Sequence, residues 1–506
     1  MSPVEITFLG LYFAVMFVVS VYGGHRYVMA YLYYKHKYND PEVKPFDGPL
    51  PRVTVQLPIY NEMYVCERLI ESVCAIQYPR DLLEIQVLDD STDETTQIAA
   101  AAVDHWRSRG IDIRYLHRTD RRGYKAGALE AGLKSAKGQL IAVFDADFVP
   151  DPDFLRRTVP HFSSPRVGMV QVRWGHLNRA FSALTQAQSI MLDGHFMIEH
   201  TARNRSGRFF NFNGTAGIWR REAILDAGGW AHDTLTEDLD LSYRAQLKGW
   251  EFIFLPDVVS PAEVPVEMNA FKSQQHRWAK GSIQTAKKLL PAIMRAKLPL
   301  QVKIEAFFHL TNNLAYLLMV LISILMPISV VVRFSHGWYG VLLLDFPFFI
   351  AATLSVSGFY IASQREVGMG WGHRLRYLPF LMSLGIGLSI NNARAVIEAL
   401  FNHQSEFKRT PKHGVIKSAE SWQQLRYRGS WVSVQPFLEL ALGLYLSAAV
   451  YYVIDRGLWA SLPFLVLSQV GFLYVGLMSL FQGRFHRRVA VVVAEEAETG
   501  RAAEAA

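Results

Sequence analysis

The sequence predicts an α/β cytosolic domain, with a mainly parallel, Rossmann-like sheet, inserted in an all-α transmembrane region. Three observations predict it. Short β-rich runs alternate with helical stretches through residues 50–260, the pattern of a parallel sheet with helices on both faces. Apolar runs long enough to cross a bilayer flank that stretch, since roughly 20 residues span the hydrocarbon core. Of 506 residues, 50% are hydrophobic and 19% charged, more apolar than a typical soluble chain.

The N-terminal unit, 1–34, carries a first membrane helix over Ile6–Tyr27. No basic n-region precedes it and no small-residue cleavage site follows, which argues against a removable signal peptide. His25, Arg26, Lys35, His36 and Lys37 place its C-terminal end in the cytoplasm. The second membrane region, 301–481, offers two pairs of spans: Phe307–Val332 with Trp338–Ser363, and Val432–Ile454 with Leu458–Phe481. Arg365, Arg374 and Arg376 put one connection inside, and Arg484, Arg487 and Arg488 do the same for the chain after Phe481. Leu378–Phe401 is apolar but ends in Asn391, Asn392, Arg394 and Glu398. If it spanned, the basic loop after it would lie outside, so 378–401 is read as an interfacial or re-entrant helix. Five spans result, with the N-terminus outside. A cytosolic loop is expected at 403–430 and a cytosolic tail at 482–506, ending in an Ala/Glu-rich disordered run.

The cytosolic domain is expected over 50–265, followed by interfacial helices over 266–300. Its strands are predicted at Val53–Leu57, Glu84–Leu88, Asp112–Leu116, Leu140–Phe144, Met169–Trp174 and Phe252–Leu255. Helices are predicted at Glu62–Ile76, Glu94–Arg109, Tyr124–Ser135 and Leu239–Leu247. In such sheets, ligands bind beyond the carboxyl ends of the strands. The net charge of +7 fits cytoplasmic loops against anionic lipid. No recognition motif supports a nucleic-acid partner. Cys66 and Cys74 lack CxxC spacing and read as reduced, buried thiols.

Two acidic pairs follow two separate strands. In Asp145-x-Asp147, residues i and i+2 of an extended segment point to one side. Two carboxylates so placed suit Mg²⁺ or Mn²⁺, which would neutralise a leaving diphosphate. Asp89-Asp90 would meet a base, a ribose or the metal. Pro58, Tyr60 and Glu62 of PIYNE end the first strand and wall the same pocket, or form only a turn with Asn61 as N-cap. Lys125 of RRGYKAGAL opens a helix, where a cation suits a phosphate. It reads equally well as a surface lysine.

Thr236-Glu237-Asp238 opens another helix. Acidic residues are common in a first turn. The functional reading makes Asp238 the base that takes a proton from an acceptor hydroxyl. Gln274-x-x-Arg277-Trp278 puts a fork for phosphate oxygens and a flat face for a sugar on neighbouring helix positions. A snorkelling helix with a tryptophan anchor is the plain alternative. Phe407, Thr410 and Lys412 lie on a loop that either closes the site or is an ordinary basic juxtamembrane loop.

Taken in order, QVLDDSTDETTQ, RRGYKAGAL, FDADFVPDPDFLRRTVP, VQVRW, FNGTAGIWRREAI, GGW and QQHRWAKG resemble the processive family 2 glycosyltransferases. That group includes cellulose synthase, hyaluronan synthase and the cellulose-synthase-like mannan, glucomannan and glucan synthases. The resemblance is close over residues 50–290 and loose in the membrane region. It implies a GT-A fold, a nucleotide-diphospho-sugar donor (GDP-mannose or UDP-glucose), Mg²⁺ or Mn²⁺, and inversion to a β linkage. It implies metal contact for Asp147 and Asp145, and donor contact for Pro58, Tyr60, Glu62, Asp89, Asp90, Lys125, Asp145 and Arg277. It implies an acceptor site of Asn213, Gly214, Thr215, Glu237, Gln274 and Trp278, with Asp238 as the base. Phe407, Thr410 and Lys412 fall where cellulose synthase has its gating loop, Phe-x-Val-Thr-x-Lys, although Arg409 stands in the valine position. No cyclic-dinucleotide-binding β-barrel module is recognisable, so regulation through one is not expected. The function expected is polymerisation of hexose into a β-linked glycan and its translocation, with membrane lipids around the enzyme. The alternatives are transfer of one or a few sugars to a ceramide- or diacylglycerol-type lipid and, more remotely, a transporter with a cytosolic binding domain.

Overall fold

The computed structural model describes residues 1–43, 48–338, 345–368, 370–404, 409–414 and 434–482. Phe407, most of the loop expected at 403–430, the arginine cluster after Phe481 and the C-terminal tail lie outside them.

Helix α1 (Pro3–His36) precedes a domain that runs β1 (Val53–Ile59), α2 (Cys66–Cys74), β2 (Leu83–Asp89), α3 (Thr95–Ser108), β3 (Ile113–His117), α4 (Tyr124–Ser135), β4 (Leu140–Val143), α5 (Phe154–Thr158) and β5 (Val167–His176). It continues through α6 (Ala183–Asp193), a π-helical segment (Gly194–His200), α7 (Thr201–Arg205), β6 (Gly217–Arg220), α8 (Arg221–Asp226), α9 (Glu237–Leu247) and β7 (Glu251–Ala262). The strands form one sheet in the order β3-β2-β1-β4-β6-β5-β7. All pairs are parallel except those of β6, which runs antiparallel to β4 and β5. The expected strands all form, five of them within two residues of their predicted bounds, while β7 runs on to Ala262, seven residues past its predicted end at Leu255. Four-residue β6 was not expected, because Gly-Ile-Trp-Arg is too short to show alternation.

The central strands are apolar because both faces of a parallel sheet are covered. Val53, Val55 and Leu57 pack with Leu69, Ile70 and Val73 of α2. Ile141 and Val143 of β4 pack in a second cluster with Leu129 and Leu133 of α4. Val53 pairs with both Leu83 and Leu140, and Ile59 pairs with Asp89. This register brings the carboxyl ends of β1, β2 and β4 to one edge of the sheet. Asn61 is not an N-cap. It has φ 51°, and its side chain accepts from the Thr92 amide instead.

Beyond the domain come α10 (Met268–Arg295), α11 (Leu300–Thr311), α12 (Leu314–Ser335), α13 (Asp345–Val367), α14 (Trp371–Arg374), α15 (Leu378–Gly387), α16 (Ser389–Leu400), α17 (Gln435–Asp455) and α18 (Trp459–Gln482). Among the described residues, five helical stretches are long and apolar enough to cross a membrane: α1, α12, the stretch Trp371–Leu400, α17 and α18. The set differs from expectation in one place. It includes Trp371–Leu400 and omits α13, whose apolar lead-in 339–344 lies outside the described residues.

Of the polar residues that made 378–401 read as interfacial, Asn391, Asn392 and Glu398 are turned into the protein, and Arg394 stays exposed. Asn391 donates to the carbonyl of Lys272 at 2.9 Å, and Glu398 pairs with Lys280 at 2.9 Å, so α16 is fastened along α10. Lys272 also pairs with Glu439 of α17 at 2.7 Å. Helix α10 therefore carries buried ion pairs to two membrane-region helices. Removal of one partner alone would strand a charge in a low-dielectric setting.

Helices α15 and α18 meet through glycine. A β-carbon on Gly387 would collide with the Gly471 carbonyl, whereas one on Gly385 meets nothing within 4 Å. Close backbone approach of this kind holds membrane helices together by packing. Gly387→Leu should therefore lower the apparent melting temperature in detergent by several degrees, while Gly385→Leu leaves it nearly unchanged. Equal effects would show that the contact contributes nothing.

Candidate active site

The edge where β1, β2 and β4 end opens into a cavity of about 180 Å³. Pro58, Tyr60 and Glu62 reach it from the end of β1, Asp90 from β2, and Asp145 and Asp147 from β4. Lys125 lines it from the first turn of α4, and Glu237 and Asp238 from the first turn of α9. Gln274, Arg277 and Trp278 enter from α10, Asn213 and Gly214 from the loop before β6, and Thr410 and Lys412 from 409–414. Residues more than 350 positions apart in the sequence thus face one space.

Two expected residues do not. Asp89 is fully buried and accepts from the Ser91 amide at 3.0 Å and the Tyr115 hydroxyl at 2.6 Å, with His117 Nδ1 at 3.1 Å. Strand alternation is the reason: of two consecutive residues at a strand end, only one faces the cavity. Thr215 is also fully buried, and its hydroxyl accepts from the Asp145 amide at 2.8 Å, behind the carboxylate rather than beside the cavity. Thr236 occupies the N-cap position of α9 without a side-chain cap bond.

Five of the carboxylates that line the cavity, Glu62, Asp90, Asp145, Asp147 and Glu263, pair with a cation. Asp90 receives two bonds from Arg118, at 2.7 and 2.5 Å. Asp145 pairs with Lys125 at 2.5 Å, and Lys125 also donates to the Gly214 carbonyl at 2.9 Å. Asp147 pairs with Lys412 at 2.6 Å, and Arg409 pairs with Glu62 at 3.2 Å. Glu263 accepts from the Gly414 amide at 3.1 Å and from Arg68 at 2.6 Å. The segment 409–414 is thereby seated on the carboxylate wall, with Arg409, the departure from the gating-loop pattern, taking part.

Burial pushes the Glu62 carboxyl up to about 7. Arg409 opposes this, and the nearby charges of Asp147 and Asp145 add to it. Burial likewise raises Glu263, with Asp147 contributing and Arg68 and Lys412 opposing. Asp238 is pushed up to about 7 by burial first and by Glu237 second, against the pull of Lys125. The Leu239 amide donates to Asp238 Oδ1 at 2.8 Å and fixes its orientation. Gly214, at φ 81°, passes so close that a β-carbon there would stand 3.1 Å from Asp238 Oδ2. Burial lowers the pKa of the Arg277 guanidinium, against the attraction of Glu237, Asp145 and Asp238.

Asp145 and Asp147 present oxygen donors to the cavity, which fits a hard divalent ion. Among the described residues, no three His, Cys, Asp or Glu side chains gather closely enough to hold a metal. The donor set fits an ion that completes its shell with ligand oxygens and water.

A second cavity, of about 290 Å³, shares Trp174, Asn213, Thr236, Asp238, Gln274 and Trp278 with the first. It reaches His25 and Arg26 of α1, and Tyr316 and Tyr360 of the membrane helices. A third, of about 250 Å³, shares Arg26, Tyr316 and Tyr360 with the second and continues among Phe349, Leu381 and Phe464. Sequence reasoning missed Trp174, Arg118 and Arg121. Trp174 stands in VQVRW, a motif noted without a role. Arg118 and Arg121 precede the GYKAG turn. The Arg121 guanidinium lies 3.3 Å from the centre of the Tyr60 ring.

Residues 51–281 match the family model described as glycosyltransferase like family 2. Glucomannan 4-beta-mannosyltransferase 7 of Arabidopsis thaliana is 33% identical over 457 residues, covering 88% of this chain and 79% of its own length. The chain belongs to glycosyltransferase family 2. Glucomannan 4-beta-mannosyltransferase 2 of the same plant is 42% identical over 289 residues, 55% of this chain and 54% of its own. The solved structure of mannosyltransferase PcManGT from Pyrobaculum calidifontis, in complex with GDP-Man and Mn2+, is 23% identical. It covers 72% of this chain and 97% of its own, with a TM-score of 0.48.

In this family 2 glycosyltransferase, Asp89 supports the strand end from behind. Asp89→Ala leaves the Ser91 amide without its acceptor and the Tyr115 hydroxyl with only the longer bond to the Thr96 carbonyl, and should cost on the order of 3 kcal/mol of stability. A lower melting temperature with unchanged donor KM in the surviving enzyme is expected. A raised donor KM at unchanged melting temperature would return Asp89 to the binding surface.

Proposed function

We propose that the enzyme transfers mannosyl units from GDP-mannose to the end of a growing β-linked glycan, and passes the product towards the membrane helices from a catalytic domain on the cytoplasmic side. The observation that carries this reading is the placement of Asp238. It lies on the wall shared by two cavities, one crowded with carboxylates and the other lined by aromatic and polar residues that continue towards α1. The mannosyl donor is supported by the relatives, which are glucomannan 4-beta-mannosyltransferases.

In this scheme Asp145 and Asp147 would hold a divalent ion, which when bound would supply positive charge for a diphosphate leaving group. Arg277 binds diphosphate oxygens, which its planar fork suits. Trp278 and Gln274 hold the acceptor sugar. The acceptor hydroxyl attacks the anomeric carbon, its proton passes to Asp238, and GDP departs from the opposite face, giving a β linkage. Thr410 and Lys412 cover the donor. Lys412 on Asp147 and Lys125 on Asp145 supply positive charge to the same carboxylates.

A carboxyl raised to about 7 accepts a proton only once ionised, so kcat/KM should rise as pH passes through about 7 and then level off. Asp238→Asn should remove that limb and lower transfer by about 10²–10⁴-fold. Loss of donor binding to the same extent would make Asp238 structural. Labelled GDP-mannose and UDP-glucose, each with Mn²⁺ or Mg²⁺, test the donor. A ladder of insoluble mannan supports the proposal, a single glycolipid product favours the lipid acceptor, and no release of nucleoside diphosphate favours transport.

Lys412 and a divalent ion compete for Asp147. Lys412→Met should tighten Mn²⁺ binding to the donor-free protein several-fold, as read by electron paramagnetic resonance titration. Weaker or unchanged binding would remove Asp147 from the metal set.

A further inference from the structure

The π-helical segment Gly194–His200 has a consequence at the acceptor side. In an α-helix, with about 3.6 residues per turn, positions five apart lie on different faces. In an i→i+5 turn they stack, and such turns concentrate at functional sites. His195 and His200 are five apart, and their ring centres are 4.3 Å from each other. Between them they hold one side chain. Asn213 Nδ2 lies 3.0 Å from His195 Nε2, and Asn213 Oδ1 lies 2.5 Å from His200 Nε2.

The proton pattern is self-consistent in one orientation. The amide N–H donates to His195 Nε2, so His195 carries its proton on Nδ1, which donates to Glu199 at 3.1 Å. His200 donates from Nε2 to the amide carbonyl. Turning the amide over would set a carbonyl against the bare His195 Nε2 and a donor against the His200 N–H. Glu199 is held in turn by Arg203 at 3.2 Å, and Arg203 by Glu305 at 2.9 Å. Glu305 also meets His25 of α1 at 2.9 Å. Asn213 lines both the first and the second cavity, and its own backbone amide is fixed by Gln171 at 3.0 Å.

We propose that His195 and His200 are positioning residues that clamp the Asn213 amide. The clamp presents its second N–H and second carbonyl lone pair to a hydroxyl of the acceptor sugar. The proposal rests on the acceptor reading of the second cavity. The Glu199–Arg203–Glu305–His25 series extends the clamp to the first membrane helix, so the acceptor floor and the helices around it are held as one unit.

The full-length enzyme in detergent, given labelled GDP-mannose and Mn²⁺, partitions consumed donor between glycan and free mannose. His195→Ala and Asn213→Ala should each lower the glycan fraction about tenfold, the loss of roughly one buried hydrogen bond, with donor KM unchanged. The double variant should be no worse than Asn213→Ala alone. His195→Gln, which accepts at one end and donates at the other, should restore most of the fraction. Additive losses in the double variant, no rescue by glutamine, or an altered donor KM in His195→Ala would overturn the clamp. So would a normal fraction in His195→Ala beside a reduced one in Asn213→Ala. Should Asn213→Ala have no effect, the clamp fails; should Trp278→Ala also have none, the acceptor reading of the second cavity fails with it.

Discussion

Carboxylates gathered at one sheet edge and withdrawn from water repel one another, and the structure around the cavity answers that repulsion. Asp90, Asp145, Asp147 and Glu62 each meet a cation from a different part of the chain: Arg118, Lys125, Lys412 and Arg409. A buried carboxylate without such a partner shifts towards its neutral form. Burial prevails at two of the carboxyls: Glu62 is raised to about 7 in spite of Arg409, and Asp238, against the pull of Lys125, is raised to about 7 as well. The same pocket therefore contains carboxylates paired with cations, which suit a cationic ligand, and two carboxyls, Glu62 and Asp238, placed to exchange a proton. Environment makes the difference, because the side-chain chemistry is identical.

Helix α10 turns this local electrostatics into an architecture. Its first half carries Gln274, Arg277 and Trp278 to the cavity, and the same half is fastened by Lys272 to Glu439 and by Lys280 to Glu398. Because those pairs are buried, breaking one costs more than the pair contributes. The position of the cavity wall is thus tied to α16 and α17. A displacement of either helix would reach the site through a rigid element.

Much of this was legible in the sequence, for identifiable reasons. The strand edge was legible because parallel strands are continuous apolar runs, and Asp145-x-Asp147 was legible because positions two apart share a side. The same alternation rule, applied to Asp89-Asp90, excludes one of the pair, and the structure buries Asp89. Strand β6 was missed because four residues carry no period. His195 and His200 were missed because helical reading assumes an α repeat, whereas a π segment aligns residues five apart. Asn391 and Glu398 read as head-group residues because sequence cannot distinguish a polar partner on α10 from water.

The three cavities change in character along their length. The first is lined by Asp90, Asp145, Asp147 and Lys412, the second by histidine, asparagine, tryptophan and tyrosine, and the third by Phe349, Leu381 and Phe464. On the proposed function the donor is a sugar nucleotide, whose charge sits on the diphosphate between nucleoside and hexose. With the diphosphate beside Asp145 and Asp147, the hexose would lie towards Trp278 and Asn213. An uncharged glycan then loses little on moving further, since aromatic faces exchange for aromatic faces at Tyr316 and Tyr360. The diphosphate would not follow, because beyond Arg26 the walls become apolar at Phe349, Leu381 and Phe464 and solvate a charge poorly. The polarity gradient itself thus separates the product that advances from the leaving group that must return to water.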